Sequence, residues 1–168
     1  AFNAGLNAPQ TTAVGRLFDA AAALIGVRLD TSYEAEAPMR LEALCESEVT
    51  PLPLPLAQDE AGIWRSDWAP LVPALLDATQ TPAVRAARLH ASLAQALCDQ
   101  ACVVRERSGV TRVGLTGGVF QNRVLTESVR ARLTGLGFEV LIPAQLPVND
   151  AAISFGQLLE AAATTADG

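Results

Sequence analysis

Apolar residues recur with the period of an α-helix near the start of the chain. Between residues 12 and 27 they fall at i, i+3 and i+4 spacing, which predicts a helix over that range. Gly15 lies inside this predicted helix, where a glycine costs about 1 kcal/mol relative to alanine. Either close helix packing or a bound ligand would explain a glycine there. The spacing of apolar residues at 37–46 predicts a second helix.

Prolines interrupt the middle of the chain. The run PLPLPL cannot form a central strand, because proline does not donate the ladder hydrogen bond. We predict an extended edge segment there, followed by a short strand at residues 63–65. Two helices are predicted next, a short one at 68–78 and a long one at 82–106. Thr81 suits the N-cap of the long helix and Pro82 its first turn.

In the rear of the chain, segments with the alternating pattern of a β-strand are followed by segments with the apolar spacing of an α-helix. Strands are predicted at residues 112–115 and 138–142, and helices at 120–133 and 150–163. A strand, a helix and a second strand in succession are typical of a parallel pair with a crossover helix. The predicted fold class is therefore α/β.

Composition limits the function classes. The chain has 168 residues, enough for one domain, of which half are hydrophobic and 18% are charged, which excludes a disordered protein. The formal net charge is -6 and there is no lysine. Such a chain is poorly suited to holding a nucleic-acid backbone. It also cannot contain a P-loop, which requires a lysine.

The three cysteines are predicted to be free. Cys98 and Cys102 lie four residues apart, on one face of the long helix, where both suit small buried apolar groups. A zinc site would need two more ligands, and the only histidine is His90, which we predict to be a partly packed helix residue. An odd cysteine count without a signal peptide favours a reducing cytoplasm. No apolar run is long enough to span a membrane.

The segment RVGLTGGVFQN carries the first candidate chemistry. It leads from a predicted strand through Gly117 and Gly118 into a helix. Glycine lacks a Cβ, so a ligand can approach the backbone, and the following helix directs its free N–H groups to the same place. Asn122 lies in the first turn, where its amide would reach such a ligand. The alternatives are a plain left-handed turn and a solvent-exposed asparagine.

Two carboxylates are the other candidates. Asp19 follows Gly15 by four residues, so both face one side of the first helix, and Asp19 suits ribose hydroxyls as an acceptor. Its alternative is a solvated aspartate beside an apolar stripe. Asp150 follows Asn149 at the start of the last helix, where either residue suits a helix cap. As a metal ligand, Asp150 would need partners that this chain lacks.

Five segments in this order resemble one known family. They are TTAVGRLFDAAAALIGV, TSYEAEAPMRLEAL, ARLHASLAQAL, LTGGVFQNRVL and LPVNDAAISFGQ. Together, from about residue 3 to residue 163, they resemble the C-terminal part of the hydrogenase-maturation carbamoyltransferases of the HypF type. The most specific element is GGVFQN, followed some 30 residues later by ND and GQ. Since the chain also begins without methionine beside a patterned helix, we expect it to be cut from a longer protein.

The resemblance implies a fold and an activity. The family belongs to the actin-like ATPases, with a ribonuclease H-like mixed sheet and packed helices, whose two lobes close over a nucleotide. Residues 1–163 resemble most of the second lobe, and residues 164–168 would be a flexible tail. In the family, ATP and carbamoyl phosphate form carbamoyl adenylate, and the carbamoyl group passes to the C-terminal cysteine of the partner HypE. That group becomes the cyanide ligand of nickel-iron hydrogenase.

The resemblance also assigns residues. Its adenylate-binding positions are Gly117, Gly118 and Asn122, and the helix that meets the ribose carries Gly15 and Asp19. Asp150 matches the aspartate that completes a divalent metal site, zinc or iron, with two histidines of the first lobe.

No catalytic residue is assigned to this chain, and the isolated chain is expected to be inactive. Its expected partners are HypE and the remaining domains of the full-length protein, without nucleic acid or membrane. Two departures stand out. The family usually has serine at Thr116 and two glycines at Ala151 and Ala152.

Two other functions stay open at this point. One is an inert interaction lobe with no site of its own. The other is a related actin-like enzyme, either the ATPase of tRNA threonylcarbamoyladenosine synthesis or an antibiotic O-carbamoyltransferase. The residues VFQN, in place of the small residues expected in the tRNA enzyme, favour the hydrogenase branch.

Overall fold

The structure is a computed structural model that describes residues 11–27, 30–45 and 49–166. The predicted ends of the second helix, at residue 46, and of the tail, at 167–168, lie outside the described residues. The helices are α1 (Gly15–Ile25), α2 (Glu36–Ala43), α3 (Leu71–Leu76), α4 (Pro82–Ser108), α5 (Arg123–Gly135) and α6 (Ile153–Ala166). The strands are β1 (Leu56–Gln58), β2 (Trp64–Ser66), β3 (Arg112–Gly114) and β4 (Glu139–Leu141). Two 3₁₀ turns, Gly118–Gln121 and Asp150–Ala152, precede α5 and α6.

The parallel pair of the rear half is confirmed. β3 pairs with β4 in parallel, with Arg112 opposite Glu139 and Val113 opposite Val140. Helix α5 connects the two strands and packs against β4 and α4. The two central valines are partly buried against the core, which is why this short ladder forms at this position. The Gly-Gly segment thus leaves the carboxyl end of a parallel strand, the usual location of ligands in α/β sheets.

The proline-rich segment does not itself form a strand. β1 begins at Leu56, directly after the last proline of the run, and pairs antiparallel with β2. The hairpin turns at Asp59, whose carboxylate accepts hydrogen bonds from the N–H groups of Ala61 and Ile63 at 3.0 and 2.9 Å. The strand prediction at residues 63–65 was therefore correct to within one residue.

Helix α4 is the centre of the core. It packs against α1, α2, α3 and α5, and it begins as predicted, with the Thr81 hydroxyl accepting a hydrogen bond from Val84 N–H at 3.3 Å. Leu89 and Cys98 of α4 are buried, together with Phe18 of α1. The core therefore lies between α4 and the helices that carry the candidate site residues.

The first helix starts later than predicted. α1 begins at Gly15, so this glycine is the first helical residue and not an interior one. A glycine at a helix end does not incur the interior cost that the sequence suggested. Gly15 therefore needs neither close packing nor a ligand to explain it, and a Cβ placed on it would meet nothing within 4 Å.

The last helix carries exposed apolar side chains. α6 follows the 3₁₀ turn at Asp150 and runs to Ala166, beyond the predicted end at residue 163. Ile153, Leu158 and Leu159 of α6 are exposed. Within the described ranges no helix combines the length and the apolar character needed to cross a bilayer.

Candidate functional site

Only one of the two glycines of the Gly-Gly turn has a backbone conformation that favours glycine. Gly117 has a φ of 105°, in a region that favours glycine, whereas Gly118 has no such angle. The N–H of Gly117 donates to the carbonyl of Val148 at 2.6 Å, which ties the turn to the segment before Asp150. A Cβ added to Gly118 would meet nothing within 4 Å. The backbone of Gly118 is therefore open to an approaching ligand.

Two backbone donors of this turn have no acceptor in the part of the chain that the structure describes. Among the described residues, the N–H groups of Gly118 and Val119 make no hydrogen bond, while the next N–H, that of Phe120, donates to the Gly117 carbonyl at 3.0 Å. The neighbouring Thr116 is exposed. Adjacent backbone N–H groups that face open space suit an anionic oxygen such as that of a phosphate.

The N-terminus of α5, by contrast, already holds an internal anion. The Glu42 carboxylate of α2 accepts hydrogen bonds from the N–H groups of Arg123 at 2.8 Å and Val124 at 3.4 Å. Asn122 Oδ1 accepts from Leu125 N–H at 2.9 Å. The expectation that α5 offers free N–H groups to a ligand was wrong for these three donors. The packing of α2 against α4 brings Glu42 to the positive end of the helix.

Asn122 is directed into the protein. It is the half-buried N-cap of α5, and its Nδ2 lies 2.9 Å from His90 Nε2. A solvent-exposed asparagine, the alternative that the sequence allowed, is therefore wrong. The amide oxygen and nitrogen both have protein partners, so the residue holds the start of the helix, and its assignment to the adenylate stays a prediction.

His90 is fully buried, at 1% exposure, and not partly packed as the sequence suggested. Its Nδ1 lies 2.8 Å from the Ala86 carbonyl, which can only accept, so Nδ1 carries the hydrogen. Nε2 is then the acceptor for the Asn122 amide. Burial lowers the pKa of His90 below its ordinary 6.5, against smaller opposing effects of the Ala86 hydrogen bond and Glu42. The imidazole is therefore neutral at physiological pH.

The Cys45 thiol beside His90 is not activated. Its Sγ lies 3.2 Å from His90 Nδ1, and burial, assisted by the charge of Glu42, raises its pKa to about 11. A thiol with that pKa is protonated at neutral pH, and the imidazole nitrogen that faces it carries a hydrogen. Burial likewise raises the pKa of Cys98 to about 11. The free thiols of Cys45 and Cys98 therefore lack the properties of a nucleophile.

Asp19 supplies a second unsatisfied group. Its Oδ2 lies 3.0 Å from the Arg16 guanidinium, yet this oxygen is shielded from solvent and has no hydrogen bond to any residue that the structure describes. With 31% of its side chain exposed, Asp19 is half-buried, and so less solvated than the alternative interpretation assumed. Asp19 follows Phe18 directly, and the Phe18 ring packs edge-on against His90 with centroids 5.0 Å apart. The link from α1 to Asn122 therefore runs through His90.

Asp150 does not cap the last helix. Asn149 caps the 3₁₀ turn, accepting a hydrogen bond from Ala151 N–H at 3.1 Å. The Asp150 carboxylate is exposed and has no hydrogen bond or ion pair with any residue that the structure describes. In the same part of the chain, no three histidine, cysteine or acidic side chains cluster closely enough to hold a metal. The bond from Gly117 to Val148 nevertheless brings Asp150 to the Gly-Gly turn.

The chain belongs to a family of carbamoyltransferase subdomains. Residues 1–157 match the family model described as carbamoyltransferase, Kae1-like domain, second subdomain. This confirms the family that the motifs resembled and, with it, the predicted fold class.

Individual relatives are HypF proteins. The chain is 42% identical over 161 residues to the carbamoyltransferase HypF of Rhodobacter capsulatus, covering 95% of this chain and 21% of that protein. It is 37% identical over 156 residues to HypF of a Synechocystis species, covering 90% and 20%. A crystal structure of full-length HypF in a phosphate- and nucleotide-bound form matches with a TM-score of 0.79 and 31% identity, covering 86% and 19%. The chain thus spans about a fifth of the length of these relatives.

Proposed function

We propose that this chain is the second lobe of a HypF-type carbamoyltransferase and binds ATP or carbamoyl adenylate at the Gly-Gly turn. The observation that carries the proposal is the open backbone of Gly118, together with the N–H groups of Gly118 and Val119, for which the described ranges contain no acceptor. Family membership and the phosphate- and nucleotide-bound form of the matching HypF crystal structure support it.

The residues present suit a nucleotide. The N–H groups of Gly118 and Val119 would donate hydrogen bonds to a phosphate oxygen, and the missing Cβ of Gly118 allows its close approach. Among the described residues the shielded Oδ2 of Asp19 has the Arg16 ion pair but no hydrogen bond, and a ribose hydroxyl is a donor that this carboxylate can accept from. Because Glu42 already occupies the start of α5, the turn and not the helix dipole would receive the phosphate.

In the proposed reaction, the C-terminal cysteine thiolate of HypE attacks the carbamoyl carbon of the adenylate. A carbon–sulfur bond forms, the carbon–oxygen bond to the phosphate breaks, and AMP leaves. The role of this chain is to bind the AMP part of the adenylate. The fixed position of the bound AMP part favours the attack. Its candidate site residues bind and orient, and we assign none of them a proton transfer.

We further propose that Asp150 ligates a divalent ion, zinc or iron, in the intact protein. Its carboxylate is exposed and has no partner among the described residues, and carboxylate oxygen suits either metal. A bound cation would neutralise phosphate charge beside the turn. The remaining ligands must come from another part of the intact protein, and we place that protein in the cytoplasm with HypE as its partner.

ATP binding by the intact protein tests the proposal. Gly118→Val should weaken ATP binding at least tenfold by steric blockage while leaving thermal stability unchanged, since no positive φ is strained. Gly135→Val is the matched control, because Gly135 also lacks a positive φ and has open space at its Cβ.

One outcome would contradict the nucleotide site, and another would contradict the assignment of HypE as the acceptor. Equal ATP affinity in the wild type and Gly118→Val would show that the turn only reverses the chain direction and binds no nucleotide. It would favour an inert interaction lobe. Carbamoyl transfer to a small hydroxyl or a tRNA substrate, and not to HypE, would instead favour the related carbamoyltransferases.

A further inference from the structure

The buried imidazole of His90 on α4 contacts α1, the N-cap of α5 and the segment just after α2. On α4 itself, Nδ1 donates to the Ala86 carbonyl at 2.8 Å. From α5, the Asn122 amide reaches Nε2 at 2.9 Å, and from α1 the Phe18 ring packs edge-on at 5.0 Å. The Cys45 thiol, just beyond α2, lies 3.2 Å from Nδ1. Every side of the ring therefore has a neighbour.

We infer that His90 is a positioning residue that holds the two halves of the proposed nucleotide site in a fixed relation. This inference rests on the proposed function. One half is the Gly-Gly turn, which runs into the Asn122 cap, and the other is α1, where Asp19 follows Phe18. His90 contacts Asn122 and Phe18 directly.

The orientation of the hydrogen bonds makes this link specific. Asn122 Oδ1 accepts the Leu125 N–H, so its Nδ2 must face His90 and needs an acceptor there. The Ala86 carbonyl keeps the hydrogen of His90 on Nδ1, which leaves Nε2 as that acceptor. If Nε2 were lost, the Asn122 amide would be a half-buried donor without a partner. The asparagine would then turn, and the start of α5 would lose its cap.

A second polar contact acts on the same helix start. Glu42 holds the N–H groups of Arg123 and Val124, while Asn122 holds Leu125. Glu42 fixes the N-terminus of α5 relative to α2, whereas His90 fixes it relative to α1. Of the two, only His90 also contacts α1 directly, through Phe18, next to Asp19.

Two substitutions at His90 distinguish a positioning role, through the hydrogen bond to Asn122, from a role in core packing alone. His90→Gln retains an acceptor near the position of Nε2, whereas His90→Asn is too short to reach Asn122. Ser92→Ala is the matched control, a fully buried polar residue on α4 whose hydroxyl bonds to the Arg88 carbonyl and the Leu52 N–H. ATP affinity of the intact protein and hydrogen–deuterium exchange without nucleotide are measured for each.

We expect His90→Asn to bind ATP about tenfold more weakly, the effect of about one buried hydrogen bond. His90→Gln should lie within about threefold of the wild type, and Ser92→Ala should match it. Without nucleotide, His90→Asn should exchange faster in the peptide that contains Gly117–Leu125, because the cap of α5 is lost. Equal ATP affinity of His90→Gln and His90→Asn, or unchanged exchange in that peptide, would overturn the inference.

Asn122→Ser removes the contact between Asn122 and His90 by changing the asparagine. It tests the inference even if the His90 variants fail to fold. Serine still caps α5 but is too short to reach His90. It should weaken ATP binding as His90→Asn does, and the double variant should be no worse than either single variant. Additive losses would contradict the inference. If the wild type binds no ATP, the proposed function fails, and the exchange measurement alone decides whether His90 positions the turn.

Discussion

The N–H of Gly117 donates to the carbonyl of Val148 at 2.6 Å, across thirty-one residues of sequence. This bond places the turn after β3 beside the segment that ends in Asn149 and Asp150. The two motifs of greatest interest in the sequence therefore lie at one edge of the β3–β4 pair. A ligand held by the turn would have the Asp150 carboxylate close by.

Substitution of Gly117 and of Gly118 by alanine should change the free energy of unfolding by different amounts. Gly117 has φ 105° and ψ 154°, a region essentially restricted to glycine, so Gly117→Ala should lower the free energy of unfolding by about 1–3 kcal/mol. Gly118→Ala should change it by less than about 0.5 kcal/mol, since its backbone is ordinary and its Cβ has space. Urea denaturation of both variants measures this. A larger loss for Gly118→Ala would contradict the backbone geometry.

The carboxylate of Glu42 should stabilise α5. Glu42→Ala removes the acceptor for two backbone N–H groups and the negative charge at the helix start, and should cost about 1–2 kcal/mol. Thermal or urea denaturation measures the loss. Glu139→Ala is the comparison, because its ion pair with Arg112 is exposed and should contribute little. Equal losses in the two variants would show that Glu42 does not cap α5 in solution.

Acid should destabilise the protein through His90. Its folded pKa is lowered by burial below the ordinary 6.5, so as the pH falls the unfolded chain takes up this proton first. Stability from this group is full above pH 6.5 and is lost progressively below it. The pKa values of Asp59 and Asp77 are lowered from 3.8, so these carboxylates do not titrate in this window.

Melting temperatures between pH 7.5 and pH 5.5 measure this effect. The wild type should lose more on acidification than His90→Gln, which lacks the titrating ring. Because His90 is the only histidine of the chain, no second imidazole in it contributes to the difference. An identical fall in both proteins would place the acid sensitivity elsewhere.

Asp150→Asn should lower the metal content of the intact protein without changing its stability. The carboxylate is exposed and caps nothing, since Asn149 makes the local hydrogen bond. Elemental analysis after dialysis gives the metal content, and Glu160→Gln, an exposed carboxylate on α6, is the control. Full metal retention in Asp150→Asn would remove this residue from the ligand set.

Short-range patterns predicted the elements well. The Thr81 cap of α4, the glycine turn and the parallel pair all follow from residues within a few positions, or one crossover helix, of each other. The motif order likewise identified the family. These features depend on local backbone preferences and on the period of apolar residues, both of which are visible in a linear sequence.

The polar contacts around the turn required the tertiary structure. Glu42 reaches Arg123 across 81 residues, and His90 reaches Asn122 across 32. Sequence patterns predicted a free helix N-terminus and a partly packed histidine, and both were wrong. The physical reason is that apolar periodicity specifies which face of a helix is buried, but not which polar group of a distant helix lies against it. That depends on how α1, α2 and α5 pack on α4. The donors of Gly118 and Val119, which have no acceptor among the residues described, therefore emerged only from the fold.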